Sequence, residues 1–233
     1  MQALLADYTE VWVPRAVVPL VQFADRVRAI SSTGIDLMGL PGRERDIPPG
    51  LFDGFDSIVS WYGTQRPEFR EAMPPHTEFR TALPIADCNI HAVEFFGGTG
   101  YPRIEVDAKP QGFIAVHPFS GSRKKNWPLD RFRELQLPYP IRYCISPEQT
   151  LEGAVQYDNL YDLAVWLRGA ELYIGNDSGI THLAAACGVP TVAIFSEHSN
   201  PNIWAPRGPH VEVVTPGDSV AAAVDRLLAR GYS

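Results

Sequence analysis

Three cysteines in 233 residues, Cys88, Cys144 and Cys187, are too few and too scattered for a disulfide framework or a zinc pattern. They point to a reducing compartment, and Cys187, in an alanine-rich stretch, reads as a small core residue. Surplus positive charge is missing as well. A formal charge of −7 with no basic stripe argues against nucleic-acid binding. The chain shows no signal-peptide pattern and no apolar run long enough to span a bilayer, so the expected location is cytoplasmic, with membrane contact at most peripheral. It has no solenoid-length repeat and no low-complexity tract. The dinucleotide fingerprint Gly-x-Gly-x-x-Gly is absent, which counts against a Rossmann oxidoreductase. So is an Asp-x-Asp metal motif.

What is present suits a soluble α/β enzyme. Hydrophobic residues make up 45% of the chain and charged residues 20%, enough for packed cores in one large domain or two small ones. Strand and helix patterns alternate. Strands are expected at 9–13, 26–30, 57–61, 79–82, 113–117, 139–145, 172–174, 191–195 and 211–214. Helices are expected at 17–24, 67–73, 90–96, 129–135, 159–168, 180–187 and 220–230. Residues 36–55 read as a long loop. Residues 97–111, with three glycines and two prolines, are the best linker between a domain at 1–100 and a second at 111–233.

The densest signal is 172–195. Leu172, Tyr173 and Ile174 form an apolar run of the kind a buried parallel strand needs. Gly175 to Gly179 break it with small and polar residues, and a short helix rich in alanine follows, stopped by Gly188 and Pro190. A polar turn between a buried strand and a helix N-terminus points free N–H groups at an anion, phosphate above all. Asp177 or Ser178 suits the N-cap, and His182 sits in the first helical turn. The plainer alternative is that Asp177 and Ser178 only cap the helix and His182 is a satisfied polar side chain.

From Gly175 the chain reads Gly-Asn-Asp-Ser-Gly-Ile-Thr-His-Leu-Ala-Ala-Ala, then from Gly188 Gly-Val-Pro-Thr-Val-Ala-Ile-Phe, then Trp204-Ala-Pro-Arg-Gly208. With His117-Pro-Phe-Ser-Gly-Ser-Arg-Lys-Lys-Asn-Trp-Pro-Leu-Asp-Arg-Phe132 upstream, it resembles glycosyltransferase family 9, the ADP-heptose:lipopolysaccharide heptosyltransferases. The C-terminal half is well covered and the N-terminal half more loosely. The resemblance implies a GT-B type α/β fold, two Rossmann-like domains facing a cleft, with the nucleotide-sugar donor held by the C-terminal one. It implies inverting sugar transfer from an ADP-activated donor, heptose above all, to a lipopolysaccharide-core or other glycan acceptor, with no obligatory metal and no separate cofactor.

On that resemblance Lys125 matches a phosphate-binding lysine, with Arg123 and Lys124 as neighbours able to serve instead. Ser120, Gly121 and Ser122 would contact phosphate. Asp177 would lie near sugar or ribose hydroxyls. The N–H groups of Ser178 and Gly179 would meet the diphosphate, and His182 would donate to a phosphate or sugar oxygen. Glu148 falls where relatives carry a ribose-binding acid, and Leu160 where an apolar residue packs near adenine. An exposed acid, a solvated basic loop and a core leucine are the corresponding plain readings. Trp127 and Trp204 read as local packing, and His117 as a residue that orients the phosphate loop.

Two departures stand out. Ser196-Glu197-His198 replaces the Gly-Pro-Thr usual after the second signature strand, which leaves the donor sugar open. The strand and Gly-Asp turn that open family members have no counterpart, so the N-terminal domain is expected to be incomplete. Met1 to Tyr8 resembles the last turns of the helix after that turn, a pattern expected of a misplaced start. The Asp of that turn is the family's proposed base, so no residue inherits that role. A non-catalytic nucleotide-sugar-binding homologue or scaffold is the alternative, and a nonhydrolysing sugar epimerase of the same architecture a further one.

Overall fold

The computed structural model describes residues 7–43, 46–83 and 89–231. The helix expected at Met1 to Tyr8 and the thiol of Cys88 fall wholly or largely outside them. The chain divides into two compact units, Leu4–Cys88 and one containing Asn89–Ser233.

In the first unit β1 (Glu10–Val13) pairs in parallel with β2 (Arg26–Ala29), and β3 (Ile58–Ser60) with β4 (Thr77–Phe79). A 3₁₀ turn at Arg15–Leu20 connects the first pair. An α-helix was expected there, but Pro19 lies inside the segment and lacks the N–H a continuing helix needs. Between β3 and β4 runs α1 (Pro67–Ala72), started by Pro67 in its first turn. Its Phe69 is fully buried against Ile35, Met38 and Met73, with Trp12, Phe52 and Phe79 around them. The strand expected at 79–82 lies earlier, at Thr77–Phe79, where it pairs with β3.

The second unit begins earlier than the expected linker. The short helix α2 (Ala92–Phe95) and the stretch after it lie along this unit. The Ile104 N–H donates to the Ala186 carbonyl at 2.9 Å and the Gln111 N–H to the Gly169 carbonyl at 2.8 Å. Residues 97–111 are therefore anchored to it at both Ile104 and Gln111.

Its core is a five-stranded parallel sheet: β5 (Ile114–His117), β6 (Ile141–Tyr143), β7 (Leu172–Asn176), β8 (Thr191–Ile194) and β9 (Val211–Val214), in the order β6-β5-β7-β8-β9. Every residue of β5, β7 and β8 is buried, as strands covered on both faces require. The chain order supplies the covering helices: α3 (Leu129–Arg133), α4 (Leu160–Arg168), α5 (Gly179–Ala186), the short α6 (Pro201–Trp204) and α7 (Val220–Ala229). Ile114, Val116, Leu172, Ile174, Val192 and Ile194 form one cluster with Phe132 of α3 and Val220, Val224 and Leu227 of α7. The nine-residue α4, capped by Asn159, buries Leu163, Ala164 and Leu167, the apolar stripe its sequence shows. Helix α6 was not anticipated: its four residues are too few for a periodic pattern, and its signals are the Asn200 cap and Pro201.

Gly175 has a packing reason. Tyr173 lies two residues earlier on the same face, and its hydroxyl folds over Gly175 to reach Thr181 Oγ1 at 3.0 Å. A Cβ at position 175 would collide with the tyrosine ring and hydroxyl. Gly175→Ala should therefore cost about 1–3 kcal/mol through overpacking, read as a lower urea midpoint with an unchanged slope.

Candidate functional site

Strand β5 sends the chain to β6 on one side, and the chain returns to β7 on the other. The connections leave the sheet in opposite directions here, so a crevice opens beyond the carboxyl ends of β5 and β7, where open α/β sheets bind ligands.

The loop after β5 is tied to the end of β7 by one buried side chain. Asn176 Oδ1 accepts from the Trp127 N–H at 2.8 Å, and its Nδ2 donates to the Pro118 carbonyl at 2.8 Å. Both ends of the loop are thus fixed to β7. Ser120 Oγ stands 2.7 Å from Asn126 Oδ1 and 2.8 Å from the Ser122 carbonyl, so that its hydroxyl shapes the loop from within. Gly121 is exposed, with open space where a Cβ would be. Trp127 packs edge-on to Phe132 at 4.8 Å, the local packing its position suggested.

A 3₁₀ turn at Arg123–Lys125 follows Ser122, with Arg123 and Lys124 exposed and Lys125 half-buried. Among the three basic residues it is Lys125 that reaches inward: its Nζ stands 2.8 Å from Asp177 Oδ2, with the carboxylate side chain only 8% exposed. Fifty-two positions apart in sequence, the two sequence-derived candidates are in direct contact.

Ser178 is the N-cap of α5, its Oγ accepting from the Thr181 N–H at 3.4 Å. The Thr181 hydroxyl donates to the Asn176 carbonyl at 2.5 Å, so strand end and helix start are one bonded unit. Gly179 opens the helix, exposed and with open space where a Cβ would be. His182, one turn further on, is half-buried. Burial pushes its pKa below the usual histidine value, the Asp177 carboxylate opposes this, and His91 adds to it.

His91 went unrecognised in the sequence. It caps α2, its Nδ1 accepting from the Val93 N–H at 3.2 Å, while Nε2 meets the Ala205 carbonyl at 2.8 Å. Beside it Arg207 pairs with Glu94 at 2.6 Å. These contacts brace the turn after α6, whose Trp204 backbone lies against His182. Nothing local signals such a role, because the partners are more than a hundred residues apart.

Glu148 is exposed on the turn after β6, in neither the loop after β5 nor the turn before α5. That turn is closed by the Ser146 N–H donating to Gln149 Oε1 at 3.0 Å. Leu160 is half-buried at the start of α4. Among the described residues no three His, Cys, Asp or Glu side chains cluster as metal ligands, and no helix is long and apolar enough to cross a membrane.

The family described as glycosyltransferase family 9 (heptosyltransferase) matches residues 157–226, the segment with Asp177, Ser178, Gly179 and His182. The chain resembles glycosyltransferase family 9. Solved structures share its α/β fold. A glycosyltransferase family 9 protein from Veillonella parvula is 18% identical, with a TM-score of 0.61 over 97% of this chain and 81% of that one. E. coli ADP-heptose LPS heptosyltransferase II is 15% identical, with a TM-score of 0.62 over 95% and 89%. E. coli heptosyltransferase WaaC, solved with ADP, is 16% identical, with a TM-score of 0.64 over 98% and 92%. No curated protein matches by sequence. The family match begins beyond Lys125 and Glu148, so Lys125 rests on the loop geometry and the resemblance of the 117–132 segment, and Glu148 on its place after β6.

Two outcomes follow from this geometry. Asn176→Ala removes both anchors of the loop and leaves buried backbone groups unpaired, so it should cost about 2–4 kcal/mol by chemical denaturation. His117, at the end of β5, is held neutral by burial, its pKa pushed from 6.5 down to about 4. Unfolded protein binds a proton there that the folded state refuses, so stability is full above pH 6.5 and falls as pH drops toward 4. His117 alone should take away roughly 3 kcal/mol across that window, and His117→Phe should flatten the profile by that amount in urea titrations at stepped pH.

Proposed function

We propose that the chain is a glycosyltransferase that takes a sugar, heptose above all, from an ADP-activated donor and passes it with inversion to a glycan acceptor of the lipopolysaccharide-core type. The observation that carries this reading is the Lys125–Asp177 pair at the switch point of the parallel sheet, 2.8 Å across and beside the capped start of α5.

As the glycosidic bond breaks, negative charge grows on the departing diphosphate. A site that hastens the step must meet that charge with cations and N–H groups already in place. Lys125 supplies the cation. The N–H groups at Ser178 and Gly179 supply donors at the positive end of a helix. Ser122 and Gly121 line the loop beside the lysine. His182, neutral at physiological pH, donates to a phosphate or sugar oxygen. Asp177 turns to the sugar hydroxyls once a phosphate takes its place on Lys125, and Glu148 accepts from the ribose hydroxyls. The acceptor hydroxyl must lose a proton to a base, and no residue is assigned that task. The reaction needs no metal or separate cofactor in this proposal. A glycolipid acceptor would bring the chain to a membrane surface from the cytoplasmic side.

Calorimetric titration with ADP, UDP and GDP tests the donor site. ADP should bind preferentially, and Lys125→Ala should weaken it at least about tenfold, the worth of one charge-assisted contact. Added chelator should change nothing. ADP binding that ignores the lysine, or no nucleotide binding, would overturn the assignment. Binding without turnover of ADP-heptose and a glycan acceptor would reduce the protein to a donor-binding homologue.

A further inference from the structure

His117 ends β5 at the edge of the proposed donor site and is 2% exposed. Both ring nitrogens are buried, and neither completes a hydrogen bond among the described residues. A buried imidazole without partners lowers stability, so a position that keeps one calls for a reason. Burial keeps the ring neutral, with its pKa near 4, so it carries one N–H donor and one acceptor nitrogen. Its surroundings are the Gln149 side chain and the Phe119 backbone, with the Glu148 carboxylate close enough to be felt. Phe119 belongs to the loop that carries Lys125. Gln149 and Glu148 belong to the turn after β6. The ring therefore stands between the phosphate side and the ribose side of the site. Gln149 has a donor to spare, because its Oε1 is taken by the Ser146 N–H while its NH₂ group is not.

We propose that His117 is a positioning residue for ribose recognition: donor binding brings its imidazole into hydrogen bonds with Gln149 and the Phe119 carbonyl, which fixes the Ser146–Gln149 turn and sets the Glu148 carboxylate against the ribose hydroxyls. This rests on the donor reading above. The ring's acceptor nitrogen accepts a hydrogen bond from the Gln149 NH₂ group, and its N–H donates one to the Phe119 carbonyl. Both bonds belong to the bound state. The free protein carries the unpaired ring, and these two bonds relieve it, so the two loops are coupled through a group that touches no substrate.

The measurement is calorimetric titration with ADP and with 2′-deoxy-ADP, which lacks one of the ribose hydroxyls. Wild type should prefer ADP by about tenfold, the worth of one hydrogen bond to a charged group. His117→Phe should cut that preference to less than about twofold, yet bind 2′-deoxy-ADP as wild type does within about twofold. It should also unfold at no lower temperature than wild type, since a ring of similar size replaces an unpaired polar group. Gln149→Leu should lose the same preference and carries the test if His117→Phe does not fold, while His117→Gln should restore it. Equal weakening of both nucleotides in His117→Phe, full preference kept, or no preference in wild type would overturn the proposal. A wild type that binds neither nucleotide would overturn the donor reading and this inference with it.

Discussion

Everything at the carboxyl edge of the sheet hangs on the side chain of Asn176. It is the last residue of a strand with no exposed residue, so its amide can only face inward. One oxygen and one nitrogen are spent on the backbone at Trp127 and Pro118, the two ends of the loop that carries Ser120, Ser122 and Lys125. A loop of that kind is ordinarily the most mobile part of an α/β unit. Pinned at both ends by a buried amide, it holds a lysine over the start of α5 before any ligand arrives. Preformed placement of this sort spares a binding site the ordering cost a flexible loop would impose.

The Lys125–Asp177 contact then serves placement more than stability. The lysine side chain is 34% exposed, and partly solvated pairs contribute little to folding. What the pair provides is a lysine and an aspartate held together, with the loop after β5 and the turn after β7 sharing one charge balance. In the proposed donor complex a diphosphate would compete with the carboxylate for the same ammonium group, and its binding would free Asp177 for hydroxyl groups of the donor. His182 fits that balance. Its burial favours the neutral ring, which donates one hydrogen bond without adding a full charge, so the positive charge stays with Lys125 and the helix terminus.

Much of the second unit was legible because its strands are wholly buried and its helices carry clear stops. Val211–Val214 matches the expected strand end to end, and the helix expected at 220–230 differs by one residue. Lys125 and Asp177 were legible as candidates because a basic loop and a polar turn each leave a local trace. Their pairing was not, because it depends on Asn176 tying the loop after β5 to the end of β7. His91 left no trace at all, since an isolated histidine before a short helix looks like any other, and the contact that matters is with Ala205. The first unit was harder for a different reason. Its strands are three or four residues long, and prolines at 14 and 19 turn a helical pattern into a 3₁₀ turn. Short elements carry too few periods for alternation to mark their ends.

The signature around Gly175 also shows how packing and chemistry share residues. Glycine stands there because the Tyr173 hydroxyl crosses above it to reach Thr181. Thr181 in turn donates to the Asn176 carbonyl and stands beside the Ser178 hydroxyl. None of these five groups needs to touch a ligand. Together they set the angle at which α5 leaves the sheet, and that angle decides where the N–H groups of Ser178 and Gly179 point. The motif is thus mostly scaffold. Changes at Tyr173, Gly175 or Thr181 should reach the proposed anion site through the direction of the helix axis, and on that proposal depress nucleotide affinity and stability together, whereas changes at Lys125 should depress affinity alone.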